Sequence, residues 1–101
     1  MSLRTVVLET AAQAVLDQAI NEFPELEAIY DGLEWRLSRS PRSGYPVKGT
    51  TPPAYLMRSK EWIAPASLVL LYTFTNDEVN VKAIRLRKRV VAVGKKKEKA
   101  S

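Results

Sequence analysis

An almost unbroken apolar stretch occupies residues 68–74, where only Thr73 carries a polar side chain. A strand that is apolar on both faces is typical of the interior of a sheet, where both faces are covered. Residues 75–78 supply turn chemistry, because Asn and Asp tolerate left-handed backbone dihedrals. Apolar residues then alternate from Val79 to Leu86. We therefore predict a β-hairpin whose first arm, residues 68–74, is an inner strand of the sheet.

The first part of the chain predicts a short strand followed by two helices. Residues 4–9 contain β-branched side chains, and Thr10 with Gln13 has the spacing of a helix capping box. Apolar residues then recur at helical spacing in residues 11–23 and again in residues 25–40. Pro24 separates the two runs, since proline suits a first helical turn but has no amide donor. Gly32 in the second helix suggests close backbone packing there.

The second arm of the hairpin changes phase along its length. Val79 and Val81 alternate in one phase, whereas Ile84 and Leu86 alternate in the other. Either this strand is apolar on both faces, or a β-bulge near residues 82–83 resets the register. We favour the bulge, because it turns the two arginines that follow away from the helices.

Residues 41–53 predict a loop, because they hold four prolines and two glycines. Residues 55–62 then predict a strand with Arg58 and Lys60 at period two, on one face. With the hairpin this strand forms an antiparallel meander. The predicted fold is a single α+β domain over residues 1–93, with a short N-terminal strand and a two-helix hairpin packed on a small antiparallel sheet. Residues 94–101 predict a basic disordered tail.

Composition narrows the classes of function. The 101 residues are 46% hydrophobic, which is typical of one folded domain. The absence of cysteine and histidine excludes disulfides, thiolate metal sites and the usual general base. No apolar run approaches the roughly 20 residues of a membrane span, and no signal-peptide layout is present. We expect a cytoplasmic protein without cofactor, metal or membrane attachment.

Charge is divided unevenly along the chain. Residues 1–34 hold one basic and seven acidic residues, a net charge of −6, whereas residues 35–101 hold fifteen basic and four acidic residues, a net of +11. Such asymmetry favours a polyanionic partner for the C-terminal side. For residues 95–99, which carry four of these positive charges, a generic solubility tail is the alternative.

The candidate functional residues are arginines and lysines on predicted strands. Guanidinium groups match phosphate oxygens bidentately, and such a surface binds nucleic-acid backbone with strong salt dependence. RNA carries its own nucleophile, the 2′-hydroxyl, so a site need only orient it and neutralise developing charge, and a lysine among cations can serve as the base. A basic face that contacts only solvent is the alternative. Trp35 and Trp62 can stack on bases, although packing over the edge of the core is the expected role.

The order of the elements and three segments resemble a known family. The helix end LEWRLSRSP, the segment YLMRSKEW and the hairpin LVLLYTFTNDEVNVKAIRLRK are similar to the RelE/ParE toxins of bacterial type II toxin–antitoxin systems, over about residues 4–89. For RelE-type members the resemblance implies a ribosome-dependent endoribonuclease that cuts messenger RNA. It also implies a small cognate antitoxin, whose acidic or amphipathic segment would lie across the basic face.

The resemblance implies roles for particular basic residues. The predicted catalytic residues are the pairs on two neighbouring strands, Arg58, Lys60, Arg85 and Arg87. The predicted phosphate-binding residues are the other basic residues of the last strand, Lys82, Lys88 and Arg89. RelE-type enzymes place a tyrosine near the C-terminus, whereas none follows Tyr72 here. A ParE-like poison of DNA gyrase, or a catalytically inactive relative that binds nucleic acid or antitoxin, therefore stays open beside the nuclease.

Overall fold

The structure is a computed structural model, and it describes residues 3–59 and 66–88. Within these ranges the chain forms five strands, two α-helices and a 3₁₀ turn, which confirms the predicted α+β class. The elements in chain order are β1 (Thr5–Leu8), α1 (Thr10–Glu22), α2 (Leu26–Arg39), the 3₁₀ turn (Pro41–Ser43), β2 (Tyr45–Val47), β3 (Ala54–Arg58), β4 (Ala66–Phe74) and β5 (Glu78–Lys88). The predicted tail, residues 94–101, lies outside the described residues.

The strands form one mixed sheet in the order β1-β5-β4-β3-β2. The predicted antiparallel meander of β3, β4 and β5 is confirmed, with β4 at its centre. The N-terminal strand β1 joins this predicted antiparallel sheet and pairs parallel to β5, so the whole sheet is mixed. A parallel pair cannot be joined by a tight hairpin, and two helices and three strands separate β1 from β5 along the chain.

One face of the sheet packs against the helices and forms the core, and we call it the helix face. Alternate residues of β4 are fully buried there, namely Leu68, Leu70 and Tyr72. The helices contribute apolar residues three and four positions apart, as their periodicity predicts: Ala12, Leu16, Ala19, Leu26, Tyr30, Leu33 and Leu37. Burial of a leucine-sized side chain contributes about 1.5–3 kcal/mol. This layer is therefore the main source of the folding free energy.

A β-bulge interrupts the ladder between β4 and β5, as the phase change predicts. Leu71 pairs with Ala83, whereas Tyr72 pairs with Val81, so Lys82 is the extra residue of β5. Val81 before the bulge and Ile84 after it are both buried. The bulge thus keeps apolar residues on the helix face and turns Ala83, with every second residue after it, to the opposite face.

The beginning of α1 differs from the predicted capping box. The helix begins at Thr10, so Glu9 occupies the N-cap position and makes no side-chain capping hydrogen bond. The side-chain amide of Gln13 donates to the Asp17 carboxylate at 2.8 Å instead of reaching back to the N-cap. The capping-box prediction is wrong because Thr10 lies one residue inside the helix.

The predicted loop over residues 41–53 contains an additional strand. Tyr45–Val47 pairs antiparallel with β3 and forms the edge strand β2, directly after the 3₁₀ turn. An edge strand tolerates Pro46, since one side of its backbone has no ladder partner. Strand β3 spans Ala54–Arg58, and residues 60–62 of the predicted strand lie outside the described residues.

Two glycines differ in the space around them. A Cβ atom built at Gly32, on the exposed side of α2, meets no neighbouring atom of the described residues within 4 Å. The suggested close packing at Gly32 is therefore wrong. A Cβ atom at Gly44 would collide with the Tyr72 hydroxyl and the Leu56 carbonyl. Gly44 is thus required for close approach, whereas Gly32 is not.

We expect opposite effects from alanine at these two glycines. Gly32→Ala should raise the free energy of unfolding by about 0.5–1 kcal/mol, because alanine is the better helix former at an exposed site. Gly44→Ala should lower it by about 1–3 kcal/mol through overpacking. Urea unfolding followed by circular dichroism measures both values. A Gly44→Ala variant as stable as wild type would contradict the contact between residues 44 and 72.

Candidate nucleic-acid interface

The face of the sheet opposite the helices is called the open face. Val69 and Leu71 of β4 alternate with the buried residues and are only half buried there. No helix among residues 3–59 and 66–88 packs against this face, and Ser67, which shares the parity of Val69 and pairs with Arg87, is buried. The expectation that both faces of residues 68–74 are covered is therefore not met within the described residues.

A groove of about 560 Å³ lies on the open face. Its lining combines apolar residues of three adjacent strands with three arginines: Leu56, Arg58, Val69, Leu71, Ala83, Ile84, Arg85 and Arg87. No carboxylate belongs to this described lining. Because a guanidinium is a permanent donor without an acceptor atom, the charged part of this lining has the chemistry that suits anions.

The strand register sets the spacing of the three arginines. Arg58 of β3 and Arg85 of β5 both pair with Val69 of β4, from opposite sides. Neighbouring strands lie about 4.8 Å apart, so the Cα atoms of these two arginines are roughly 10 Å apart. Arg87 follows Arg85 on the same face at about 7 Å along the strand. All three side chains are exposed, and Arg58 and Arg85 are accessible to phosphate groups.

The two arginines that flank Val69 have no acidic partner among the described residues. Neither Arg58 nor Arg85 forms an ion pair with any of them. The nearest acidic residue along β5 is Glu78, seven positions before Arg85 and at the far end of the strand. Arg58 and Arg85 therefore carry positive charge that no described carboxylate neutralises.

The other predicted basic residues are placed differently. The ammonium group of Lys82 donates to the Glu9 carboxylate at 2.7 Å, and that of Lys88 donates to the Glu22 carboxylate at 2.8 Å. These acids lie at the two ends of α1, so neither lysine lines the groove. Both pairs are exposed, and such pairs stabilise a fold by about 0–1 kcal/mol. Lys60 and Arg89 lie outside the described residues.

Two exposed aromatic residues lie on opposite sides of the sheet. Tyr45 of β2 pairs with Leu56, which puts it on the open face, where it is 66% exposed. Trp35 of α2 is 60% exposed, and the Arg39 guanidinium lies over its ring at 4.4 Å. The expectation that Trp35 packs over the core edge is wrong, and Trp62 lies outside the described residues. The sequence does not point to Tyr45, because the three residues of β2 are too few to show a strand period.

The buried Tyr72 positions the segment that leads into β2. Its hydroxyl donates to the Pro41 carbonyl in the core, and its ring lies 6.0 Å from the Tyr55 ring between centroids. Burial raises the pKa of Tyr72 to about 12. Burial also raises the pKa of Tyr30, whose hydroxyl has no hydrogen-bond partner among the described residues.

A second groove, of about 300 Å³, lies beside β1 and α2. Its lining mixes one basic and two acidic residues with Val6, Trp35 and Ser38. The basic residue, Arg4, donates its Nε–H to the Thr75 carbonyl at 2.7 Å and so joins β1 to the hairpin turn. This groove carries charges of both signs, whereas the charged residues that line the groove on the open face are all arginines.

The described residues show neither a metal-binding group of three or more acidic residues nor a helix that could cross a membrane. Comparisons of the chain with protein-family models, with curated proteins and with solved structures identified no match. The function must therefore be argued from the groove itself.

We expect Tyr72→Phe to lower the free energy of unfolding by about 1–3 kcal/mol at neutral pH, because the buried Pro41 carbonyl loses its donor. The fold favours the neutral phenol, so the stabilisation linked to Tyr72 is present below its unfolded pKa near 10 and is lost as pH rises through about 12. The variant should thus lose less stability than wild type over this range, although Tyr30 still titrates.

Urea unfolding at neutral pH and at several values between about pH 9 and 12 measures this difference. Tyr45→Phe is the matched control, since it removes a hydroxyl from an exposed tyrosine of the same chain. Equal alkaline losses of stability in wild type and Tyr72→Phe would contradict the assignment to Tyr72.

Proposed function

We propose that the open face binds the phosphate backbone of RNA and that the protein is the toxin of a type II toxin–antitoxin pair, a RelE-like endoribonuclease that cuts ribosome-bound messenger RNA. One observation carries the proposal. Arg58, Arg85 and Arg87 surround a groove whose described lining contains no carboxylate. Ribosome-bound messenger RNA is proposed as the target because the three quoted segments are similar to RelE/ParE toxins.

The groove fits a polynucleotide for two reasons. Guanidinium groups bind phosphate oxygens through paired hydrogen bonds, and strands hold the stems of the arginines with little ordering cost. The floor between Arg58 and Arg85 is apolar, with Val69 at its centre. Charge around an apolar floor suits a chain whose phosphates alternate with sugars and flat bases.

In the proposed reaction the 2′-oxygen of a ribose forms a bond to the adjacent phosphorus, and the bond from phosphorus to the 5′-oxygen breaks. The products are a 2′,3′-cyclic phosphate and a 5′-hydroxyl; the proton lost by the 2′-hydroxyl is matched by one gained by the 5′-oxygen. The arginines stabilise the negative charge that develops on the phosphoryl oxygens. Lys60, the lysine of the predicted catalytic set, is the proposed proton acceptor.

The proposed partner is a cognate antitoxin with an acidic or amphipathic segment. Its support is the same charge pattern, since residues 35–101 carry a net charge of +11 and the groove they form is acid-free in its described lining. Such a segment would cover Arg58 and Arg85 and exclude RNA from the groove. Inhibition would then be competitive.

A second candidate is a binding protein without nuclease activity, either a ParE-like gyrase poison or an inactive relative. The observation that favours it is chemical: the described lining offers three guanidinium groups but no proton acceptor. No tyrosine follows Tyr72 in the sequence either. Binding without cleavage requires only the anion site.

The first test concerns RNA binding. The logarithm of the association constant should fall linearly with the logarithm of salt concentration, and the slope should decrease by about 0.7 for each phosphate-binding arginine removed. Fluorescence anisotropy with a labelled single-stranded RNA measures the slope for wild type, Arg58→Ala and Arg85→Ala. Arg39→Ala is the matched control, because it removes the same charge from α2 on the other side of the sheet. Slopes unchanged in both groove variants would contradict the proposed interface.

The second test concerns cleavage. Removal of one charge-stabilising donor lowers the rate of such a reaction by about 100- to 1000-fold. Translating ribosomes are incubated with wild type, with Arg58→Ala, Arg85→Ala or Arg87→Ala, and with Arg39→Ala, and the messenger RNA is read by primer extension. Codon-phased cuts that vanish in the groove variants but persist in Arg39→Ala are expected. If wild type makes no cuts yet blocks supercoiling by DNA gyrase, the second candidate replaces the first.

A further inference from the structure

Tyr45 extends the groove on the open face by one strand. It pairs with Leu56, Leu56 pairs with Leu71, and Leu71 pairs with Ala83, so one row of side chains crosses four strands from Tyr45 to the bulge. The last three residues of this row line the groove. Tyr45 thus lies at the end of an apolar row that leads directly into the anion site.

The distance from Tyr45 to the nearest groove arginine is set by the same register. Arg58 lies two residues after Leu56 on β3, so Tyr45 and Arg58 are diagonal neighbours on one face of an antiparallel pair. Such neighbours lie about 7–8 Å apart, which is within reach of aromatic and long side chains. The positions of an aromatic residue and an arginine are therefore neighbours at the edge of the groove.

The exposure of Tyr45 leaves its ring available to a ligand on the open face. Its side chain is 66% exposed on a three-residue edge strand, whereas the other two described tyrosines of the sheet, Tyr55 and Tyr72, stack on each other against the core. Every base has a π-face, and stacking on an exposed ring requires that the base is unpaired. A duplex presents phosphates to the arginines but offers no free base to the ring.

We propose that Tyr45 is a stacking platform for an unpaired base of the bound RNA, with a neighbouring phosphate on Arg58. The inference rests on the proposed RNA binding and narrows its ligand to single-stranded RNA. The arginines supply the salt-dependent part of the affinity, and Tyr45 supplies a part that is insensitive to salt.

The experiment compares a single-stranded RNA that carries 2-aminopurine with the same RNA annealed to its complement. Tyr45→Ala should weaken binding of the single strand by about 5- to 150-fold, since that is the range found for loss of one stacked base. Its salt slope should equal that of wild type, whereas Arg58→Ala should lower the slope by about 0.7. Tyr45→Phe, which keeps the ring, should bind as wild type does.

One control variant and two further measurements separate stacking at Tyr45 from a general effect of removing an exposed aromatic side chain. Trp35→Ala removes an aromatic residue that is similarly exposed, 60% against 66%, but lies on α2, and it should leave the affinity unchanged. Binding of wild type should quench the 2-aminopurine fluorescence of the single strand, and Tyr45→Ala should abolish the quenching at saturating protein. The duplex should bind more weakly than the single strand and should be insensitive to Tyr45→Ala.

The outcomes distinguish this inference from the proposed function. If Tyr45→Ala binds the single strand as wild type does while Arg58→Ala binds more weakly, stacking is overturned and the anion site stands. Equal losses in Tyr45→Phe and Tyr45→Ala would also overturn stacking, because the hydroxyl would then be the binding group. If wild type binds neither RNA, both proposals fall.

Discussion

The extra residue at Lys82 in β5 determines which face of the sheet each later side chain occupies. Before the bulge, β5 contributes Val79 and Val81 to the core; after it, Ile84 is again buried while Arg85 and Arg87 reach the open face. A strict period of two would place Ile84 on the open face and the arginines beneath the helices. Burial of an unpaired guanidinium is far more costly than exposure of one isoleucine. The core and the groove therefore require the same bulge.

Strand β4 links the bulged strand β5 to β3, because it pairs with both. Hydrogen bonds to β3 on one side and β5 on the other give Arg58 and Arg85 a common neighbour, Val69. The spacing of the two arginine Cα atoms is thus set by the sheet and not by loops. On the other side of β3, the bond from Tyr72 to Pro41 fixes the turn before β2. A substitution of a buried residue of β4, such as Tyr72, would therefore alter the groove although that residue does not line it.

The parts of this fold that the sequence predicts are those with a clear hydrophobic period. The two helices, the inner strand and the bulge follow from apolar residues at spacings of two and of three to four. Strand β2 has three residues, one of them Pro46, so it has no period to detect. Apolar residues on both faces of β4 indicate a central strand, but they do not show whether a second layer covers Val69. The placement of Lys88 could have been read from its parity with Ile84, which assigns it to the helix face.

The chemistry of the open face separates binding from catalysis. The proposed binding of phosphates rests on guanidinium donors around an apolar floor, since such donors match phosphate oxygens through paired hydrogen bonds. Cleavage additionally needs a proton acceptor, which no guanidinium provides. An antitoxin segment and an RNA strand, by contrast, would require the same feature, the exposed charge of Arg58 and Arg85 beside Val69. If both proposed ligands bind at this feature, they compete for it, because one groove cannot hold both at once.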